Sequence, residues 1–254
     1  MTADEYLQQL IAKYRVSTGV GSPAGTAGNE IYPVIRKWAG NQLREVRYSG
    51  STAKGTGIKG TTDVDLFVSL KADTSNTLKE IFNSLQSAMQ SSGYPNAVKQ
   101  NVSIHVKHKG SEVDLVPAVH YGNASEDHWL YVNKSNRERT QTNVNRHIEL
   151  VRNSGRIPEI ILVKIWRKNH GLDFPSFYLE LAVIEALKCK RFGITDNFLT
   201  VLDYLSNEFS SARFVDPANT ANIISDNLTS SEKTVIASKA GESRRQQSWG
   251  SIVW

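Results

Sequence analysis

Near residue 143 the spacing of apolar residues changes from two to three-and-four, and that change constrains the architecture of this chain more than any single residue does. Before it, residues 46–49, 64–70, 102–107 and 112–119 alternate apolar and polar positions between Gly-rich turns, the pattern of half-buried strands. One helical stretch, about 77–91, interrupts them, and Lys109-Gly110-Ser111 joins the last two runs as a hairpin. After the change the pattern is helical over about 143–153, 158–170, 176–190, 195–210 and 230–240. Pro158, Pro175 and Pro217 stand near helix starts or between helices, where a missing N–H is harmless. Ahead of the first strand, Tyr6, Leu7, Leu10, Ile11 and Tyr14 set a helix over 3–15, the Gly- and Ser-rich run 17–28 reads as a loop, and Ile31, Val34, Ile35 and Trp38 set a helix over 29–41. The expectation is an α+β chain: a lobe with a small mixed sheet and helices in residues 1–125, and a helical lobe in 143–254 on which the N-terminal helices can also pack. The lobe boundary is expected within 125–142.

Composition narrows the function classes. With 254 residues, 39% hydrophobic and 22% charged, the chain has enough apolar material for one large domain or two lobes without cross-links. Its single cysteine, Cys189, excludes an intramolecular disulfide framework and a multi-cysteine zinc site, and its helical setting reads as a small buried residue. A net charge of +5 suits a polyanionic ligand without demanding one. The longest apolar runs, 160–163 and 181–184, are far too short to span a bilayer, and the first helix carries Asp4 and Glu5, unlike a signal peptide, so no membrane partner and a cytoplasmic location are expected.

The chemistry concentrates in residues 48–68. Four glycines and several hydroxyl residues leave the first strand, and Asp63 and Asp65 open the second. Residues i and i+2 of a strand point to one side, so the two carboxylates project together and repel unless a cation lies between them. Oxygen-only ligation favours Mg2+ or Mn2+ over zinc. In Glu112-Val-Asp114-Leu the apolar residues face one side and the carboxylates the other. If that strand neighbours the second, Asp114 completes a three-carboxylate site of the kind that holds two metals during phosphoryl transfer. Gly50-Ser51 would aim backbone N–H groups and a hydroxyl at phosphate.

This pattern of Gly50-Ser51, eleven residues, Asp63-Val64-Asp65 and a later strand with Asp114 resembles the nucleotidyltransferase core of the DNA polymerase β-like superfamily. Leu162-Val-Lys164-Ile-Trp-Arg, Ser176-Phe-Tyr-Leu-Glu-Leu and Asp216-Pro-Ala-Asn are similar to the helical lobe of 2′-5′-oligoadenylate synthases, cyclic GMP-AMP synthases, their bacterial relatives and archaeal-type CCA-adding enzymes. The resemblance implies a polymerase β-like fold and transfer of a nucleoside monophosphate from an NTP, with ATP favoured, to a hydroxyl. It implies Asp63, Asp65 and Asp114 as catalytic metal ligands, with Asp114 nearest the acceptor hydroxyl. Gly50 and Ser51 would hold the β- and γ-phosphates, Lys164 and Ser176 would reach the triphosphate, and Phe177 would stack on the base. Only 37 residues follow Pro217, which leaves no room for a tRNA clamp, so the expected acceptor is a small nucleotide and the product a short linear or cyclic oligonucleotide.

Plainer readings stand beside these. Lys164 has the spacing of a lysine snorkelling from a buried helix, Ser176 that of a helix start and Phe177 that of a core residue. His105 and His108 lie three apart on a strand, hence on opposite faces, and receive no chemistry. Lys54, Lys59, Lys107-His-Lys109 and Arg244-Arg245 read as solvated charge. A non-catalytic nucleotide-binding module and a sugar-transferring Asp-x-Asp enzyme are the competing classes; the three aspartates weigh against the first and the short segment before the motif against the second.

Overall fold

The alternation in the first half of the chain builds one sheet, and the helical pattern in the second half builds a separate core. The structure, a computed structural model, describes residues 1–17, 22–61, 63–122, 124–133, 138–190 and 193–254. In chain order its principal elements begin with α1 (Ala3–Tyr14), α2 (Pro23–Ala39), β1 (Leu43–Tyr48), α3 (Gly50–Lys54), β2 (Val64–Leu70), α4 (Leu78–Ser91), β3 (Val98–Lys99), β4 (Ile104–His108) and β5 (Ser111–His120). They continue with β6 (His128–Tyr131), β7 (Arg139–Thr142), α5 (Val144–Asn153), α6 (Ile157–Asn169), α7 (Ser176–Ala186), α8 (Ile194–Asn207), β8 (Val215–Asp216), β9 (Asn219–Ile223), α9 (Ser230–Arg244) and α10 (Trp249–Ile252). Two units divide them: a sheet unit of residues 17–54 and 62–148, and a helical unit of residues 1–16, 55–61 and 149–254.

In the sheet unit the strands follow the order β1-β2-β5-β4-β3, mixed in direction, with β6 and β7 continuing from β5. Val64, Leu66, Val68, Ile104, Val106, Val113 and Leu115 form one buried face, covered by Ile31 and Ile35 of α2 and Phe82, Leu85 and Met89 of α4. On the other face Phe67, Ala118 and Leu130 are covered by Val144, with Ile148 packed against them. The register of β5 explains the sheet's shape: residues 111–115 pair with β4, residues 118–120 pair with β6, and Pro117 falls in the gap between these partners. A proline is tolerated where that side of the strand has no ladder to break.

Two expectations change here. Half of the expected loop 17–28 is helix, because α2 starts at Pro23 with the Ser22 hydroxyl accepting the Gly25 N–H at 3.0 Å; residues 18–21 lie outside the described residues. Its glycines are poor helix formers, but burial of Ala27 and Ile31 against the sheet outweighs propensity. The boundary expected within 125–142 falls inside the sheet, which extends through β6 and β7, and the division lies at 148/149. Strands of four residues, His-Trp-Leu-Tyr and Arg-Thr-Gln-Thr, carry too little alternation to be read; the edge of β5 that β4 leaves unpaired makes them strands.

The helical unit is organised by α6, which is buried from Glu159 through Trp166. Around it pack Leu7 and Leu10 of α1, Tyr178, Leu179 and Val183 of α7, Phe198, Val201 and Leu202 of α8, Ile236 of α9, and Ile58. Helix α7 ends at Ala186, not at 190, and Arg156 Nη2 donates to the carbonyls of Leu187, at 3.0 Å, and Lys190 beyond its end. Cys189 is exposed with φ +59°, which corrects its reading as a buried residue. Asp216, the last residue of β8, closes the turn into β9: its carboxylate accepts from the Ala218 N–H at 2.8 Å and the Asn222 amide at 2.9 Å. Among the described residues no helix is long and apolar enough to cross a membrane.

Candidate active site

Strands β2 and β5 run parallel in unbroken register, so Asp65 pairs with Asp114, Phe67 with Val116 and Ser69 with Ala118. Alternation across the pleat puts all six on the face opposite Val64, Leu66, Val113 and Leu115. The condition set by the sequence, that the two acidic strands be neighbours, is therefore met. Asp65 and Asp114 are half-buried, and Asp63 stands just before β2 as the most exposed of the three. Partial desolvation, and then the charge of Asp114, push the Asp63 carboxyl above the usual carboxylate range, with His105 opposing and Glu112 adding to the shift.

Gly50 is held against one of these carboxylates. The Ser49 N–H donates to the Asp65 carbonyl at 2.8 Å, and the chain turns at Gly50, φ +53°, into α3. A Cβ on Gly50 would lie 1.8 Å from Asp65 Oδ2, so the turn accepts only hydrogen there. Ser51 follows, half-buried, in the first turn of α3.

His105 is the residue that sequence reasoning missed. In the antiparallel β4–β5 hairpin it lies directly across from Asp114. Its Nδ1 is 2.8 Å from Asp114 Oδ1, its Nε2 is 3.0 Å from Glu112 Oε2, and Lys107 Nζ is 3.0 Å from Glu112 Oε1. Burial opposes charge on the ring, but the hydrogen bonds and charges of Asp114 and Glu112 outweigh it and hold His105 above the usual imidazole value. The Glu112 carboxyl is held low, first by its hydrogen bond from Lys107. The signal was present in the turn: a two-residue Lys109-Gly110 loop pairs 108 with 111, and counting back pairs 105 with 114. Judging His105 only against His108 hid the cross-strand partner.

The donors suit a hard divalent cation in type, since Asp63, Asp65 and Asp114 offer only oxygen, and the charge of Asp114 is felt at Asp63. Among the described residues no three His, Cys, Asp or Glu side chains close on a common point at ligating distance.

The remaining expected residues belong to the helical unit. Ser176 is exposed at the start of α7, where Pro175 is the N-cap, and its Oγ lies 3.1 Å from Arg167 Nη1. Phe177 is half-buried against the helical core. Lys164 requires a correction. Its side chain is 2% exposed, and Nζ donates to Glu180 Oε1 at 2.7 Å and to Thr56 Oγ1 at 3.0 Å. It does not snorkel to solvent: its charge balances Glu180 inside the core, as a buried cation requires.

Residues 1–154 match the family model of the Second Messenger Oligonucleotide or Dinucleotide Synthetase domain, SMODS. The chain belongs to the SMODS family. It is a nucleotidyltransferase, and its fold is that of the polymerase β-like superfamily. E. coli MS115-1 CdnC, solved with ATP, is 17% identical with a TM-score of 0.76, over 96% of this chain and 90% of that one. CdnE cyclic dinucleotide synthase of Elizabethkingia meningoseptica, solved with GTP and Apcpp, is 13% identical with a TM-score of 0.73, over 97% and 100%. Cid1 poly(U) polymerase, solved with MgATP, is 12% identical with a TM-score of 0.71, over 97% and 95%. At these identities the solved structures establish the SMODS protein's fold alone. No curated protein sequence matches the chain significantly.

Proposed function

We propose that this SMODS protein joins nucleotides into a short linear or cyclic oligonucleotide, transferring NMP from an NTP to the hydroxyl of a second small nucleotide. The observation that carries this reading is the register that sets Asp65 beside Asp114 on the open face of β2 and β5, with Gly50 closed against Asp65. In the reaction the acceptor oxygen attacks the α-phosphorus, the bond to the β-phosphate oxygen breaks, pyrophosphate leaves, and the hydroxyl proton passes to a carboxylate. Asp114 takes that proton or orients the hydroxyl, and Asp63 and Asp65 complete the acidic set. Mg2+ or Mn2+ held by these three would neutralise the triphosphate and lower the barrier to losing that proton. Gly50 lets the backbone approach the β- and γ-phosphates, and Ser51 offers them its hydroxyl. In the helical unit, Ser176 and Phe177 are the proposed nucleotide contacts; Lys164 is not among them. The family's own description favours a small acceptor, and a net charge of +5 over 254 residues is modest for a protein that must neutralise a long RNA.

The test is incubation with the four NTPs, singly and mixed, with Mg2+ or Mn2+, followed by mass spectrometry, beside a parallel reaction containing tRNA that lacks its 3′ end. Small oligonucleotides from wild type, reduced by several orders of magnitude in Asp65→Ala and Asp114→Ala, are expected. Nucleotide added only to the tRNA would overturn the small-acceptor reading, and full turnover by folded Asp65→Ala would overturn the site.

A further inference from the structure

The cross-strand arrangement of His105, Glu112 and Lys107 does more than staple a hairpin. Residues 112 and 114 of β5 share the face on which 105 and 107 of β4 project, and the register sets Lys107 opposite Glu112 and His105 opposite Asp114. The result is a single file, Lys107 to Glu112 to His105 to Asp114, with separations of 3.0, 3.0 and 2.8 Å. The imidazole is held at both nitrogens by carboxylate oxygens, so each ring nitrogen serves as a donor and the ring cannot rotate without losing both bonds. At the far end, Glu112 is fixed in turn by Lys107. At the near end, the Nδ1–H engages Asp114 Oδ1 and leaves Oδ2 without a contact from this ring.

We infer that His105 is the positioning residue of Asp114: the file fixes the carboxylate's rotamer so that one oxygen stays occupied by the imidazole and the other is presented for catalysis. The inference rests on the proposed function, because only there does the aim of the Asp114 carboxylate matter. The file runs up to Asp114, so the device acts on the carboxylate assigned to the acceptor hydroxyl. Partners of this kind behind a metal-binding or reacting group usually affect affinity or activity by about 10- to 100-fold when removed.

A purely structural cluster would affect stability alone, and that difference supplies the test. His105→Phe keeps a flat ring but has no N–H; His105→Asn keeps one N–H near the place of Nδ1; Glu112→Ala removes the next member of the file. The measurements on each are thermal stability, kcat and NTP KM, together with Mn2+ binding by electron paramagnetic resonance in the presence of a non-hydrolysable ATP analogue. His105→Phe should lower kcat about 10- to 100-fold, leave KM unchanged and weaken Mn2+ binding by a similar factor. His105→Asn should recover most of both, and Glu112→Ala should lose several-fold in kcat alone. His105→Phe with kcat and Mn2+ affinity within two-fold of wild type overturns the inference, as does His105→Asn failing as badly as Phe. If His105→Phe does not fold, Glu112→Ala decides, and wild-type kcat there overturns it. An inactive wild type, or an active Asp114→Ala, would instead count against the proposed function itself, so the two failures are distinct.

Discussion

Gly50 illustrates how narrowly a single residue is defined. Its φ of +53° is the left-handed region, and a Cβ would stand 1.8 Å from Asp65 Oδ2. Two penalties therefore coincide in Gly50→Ala: backbone strain of about 1–3 kcal/mol, and displacement of a carboxylate that belongs to the proposed site. Because misplacement of a reacting group by an ångström can cost about 100-fold, turnover should fall by at least that factor. Thermal unfolding measured beside turnover checks the prediction; retained activity would show that Asp65 has freedom the packing denies it. His105 makes a related point. Its function was hidden because a histidine on a strand was weighed against its neighbour in sequence, although its partner is nine residues away across a turn.

At the scale of elements, β2 and β6 are tied across β5 by a buried polar contact. His128 is fully buried; its Nδ1–H donates to the Glu126 carbonyl at 2.9 Å and its Nε2 accepts from the Ser69 hydroxyl at 2.8 Å. Burial is the first cause that pushes its pKa down to about 4, from an ordinary 6.5. The folded protein thus binds fewer protons at this site than the unfolded chain between those values. Stability from His128 is full above pH 6.5 and is lost as pH falls through 4, by about 3 kcal/mol. His105, raised above 6.5, works in the other direction: its contribution is full below 6.5 and is lost as pH rises through its folded value. Unfolding free energies from urea titrations should therefore fall between pH 6.5 and 4 in wild type, and the fall should be smaller in His128→Gln by that amount. An identical slope in the variant would reject the assignment.

For the molecule as a whole, stability comes from the core of the helical unit and from the two faces of the sheet, and the helical core contains a charge pair. Lys164 and Glu180 are 2% and 1% exposed, with Thr56 bonded to both. Removing one partner leaves the other charged in an apolar interior, so Lys164→Ala should destabilise the protein by about 3–5 kcal/mol, while Lys164→Met with Glu180→Leu should recover most of that loss, short of the cost of the Thr56 hydroxyl left behind. The double variant separates two roles. If Lys164 serves the core, the refolded double variant binds ATP as wild type does in calorimetry; if it grips triphosphate, stability returns and affinity does not. The sheet unit has its own cores on both faces of the sheet, so its unfolding is expected to be less affected by that pair.

What the sequence alone determined follows from local rules. Period-two alternation specified β2 at 64–70 and the acidic face of β5, three-and-four spacing specified α4, α6 and α8 to within a few residues, and the spacing from Gly50-Ser51 to Asp63 and Asp65 carried the family resemblance. Each of these signals lies within a few turns of chain, where pleat and helix geometry fix which side chains share a face. Only the tertiary structure decided that Asp114 pairs with Asp65, that β6 and β7 extend β5 beyond Pro117, that α2 begins inside a glycine-rich run, and that Lys164 is enclosed with Glu180. Those outcomes depend on partners tens of residues away. A lysine on a helix face carries no mark of whether the facing surface will be water, phosphate or a buried glutamate, because the balance between desolvation and pairing is set by the packed neighbours and not by the helix that bears it.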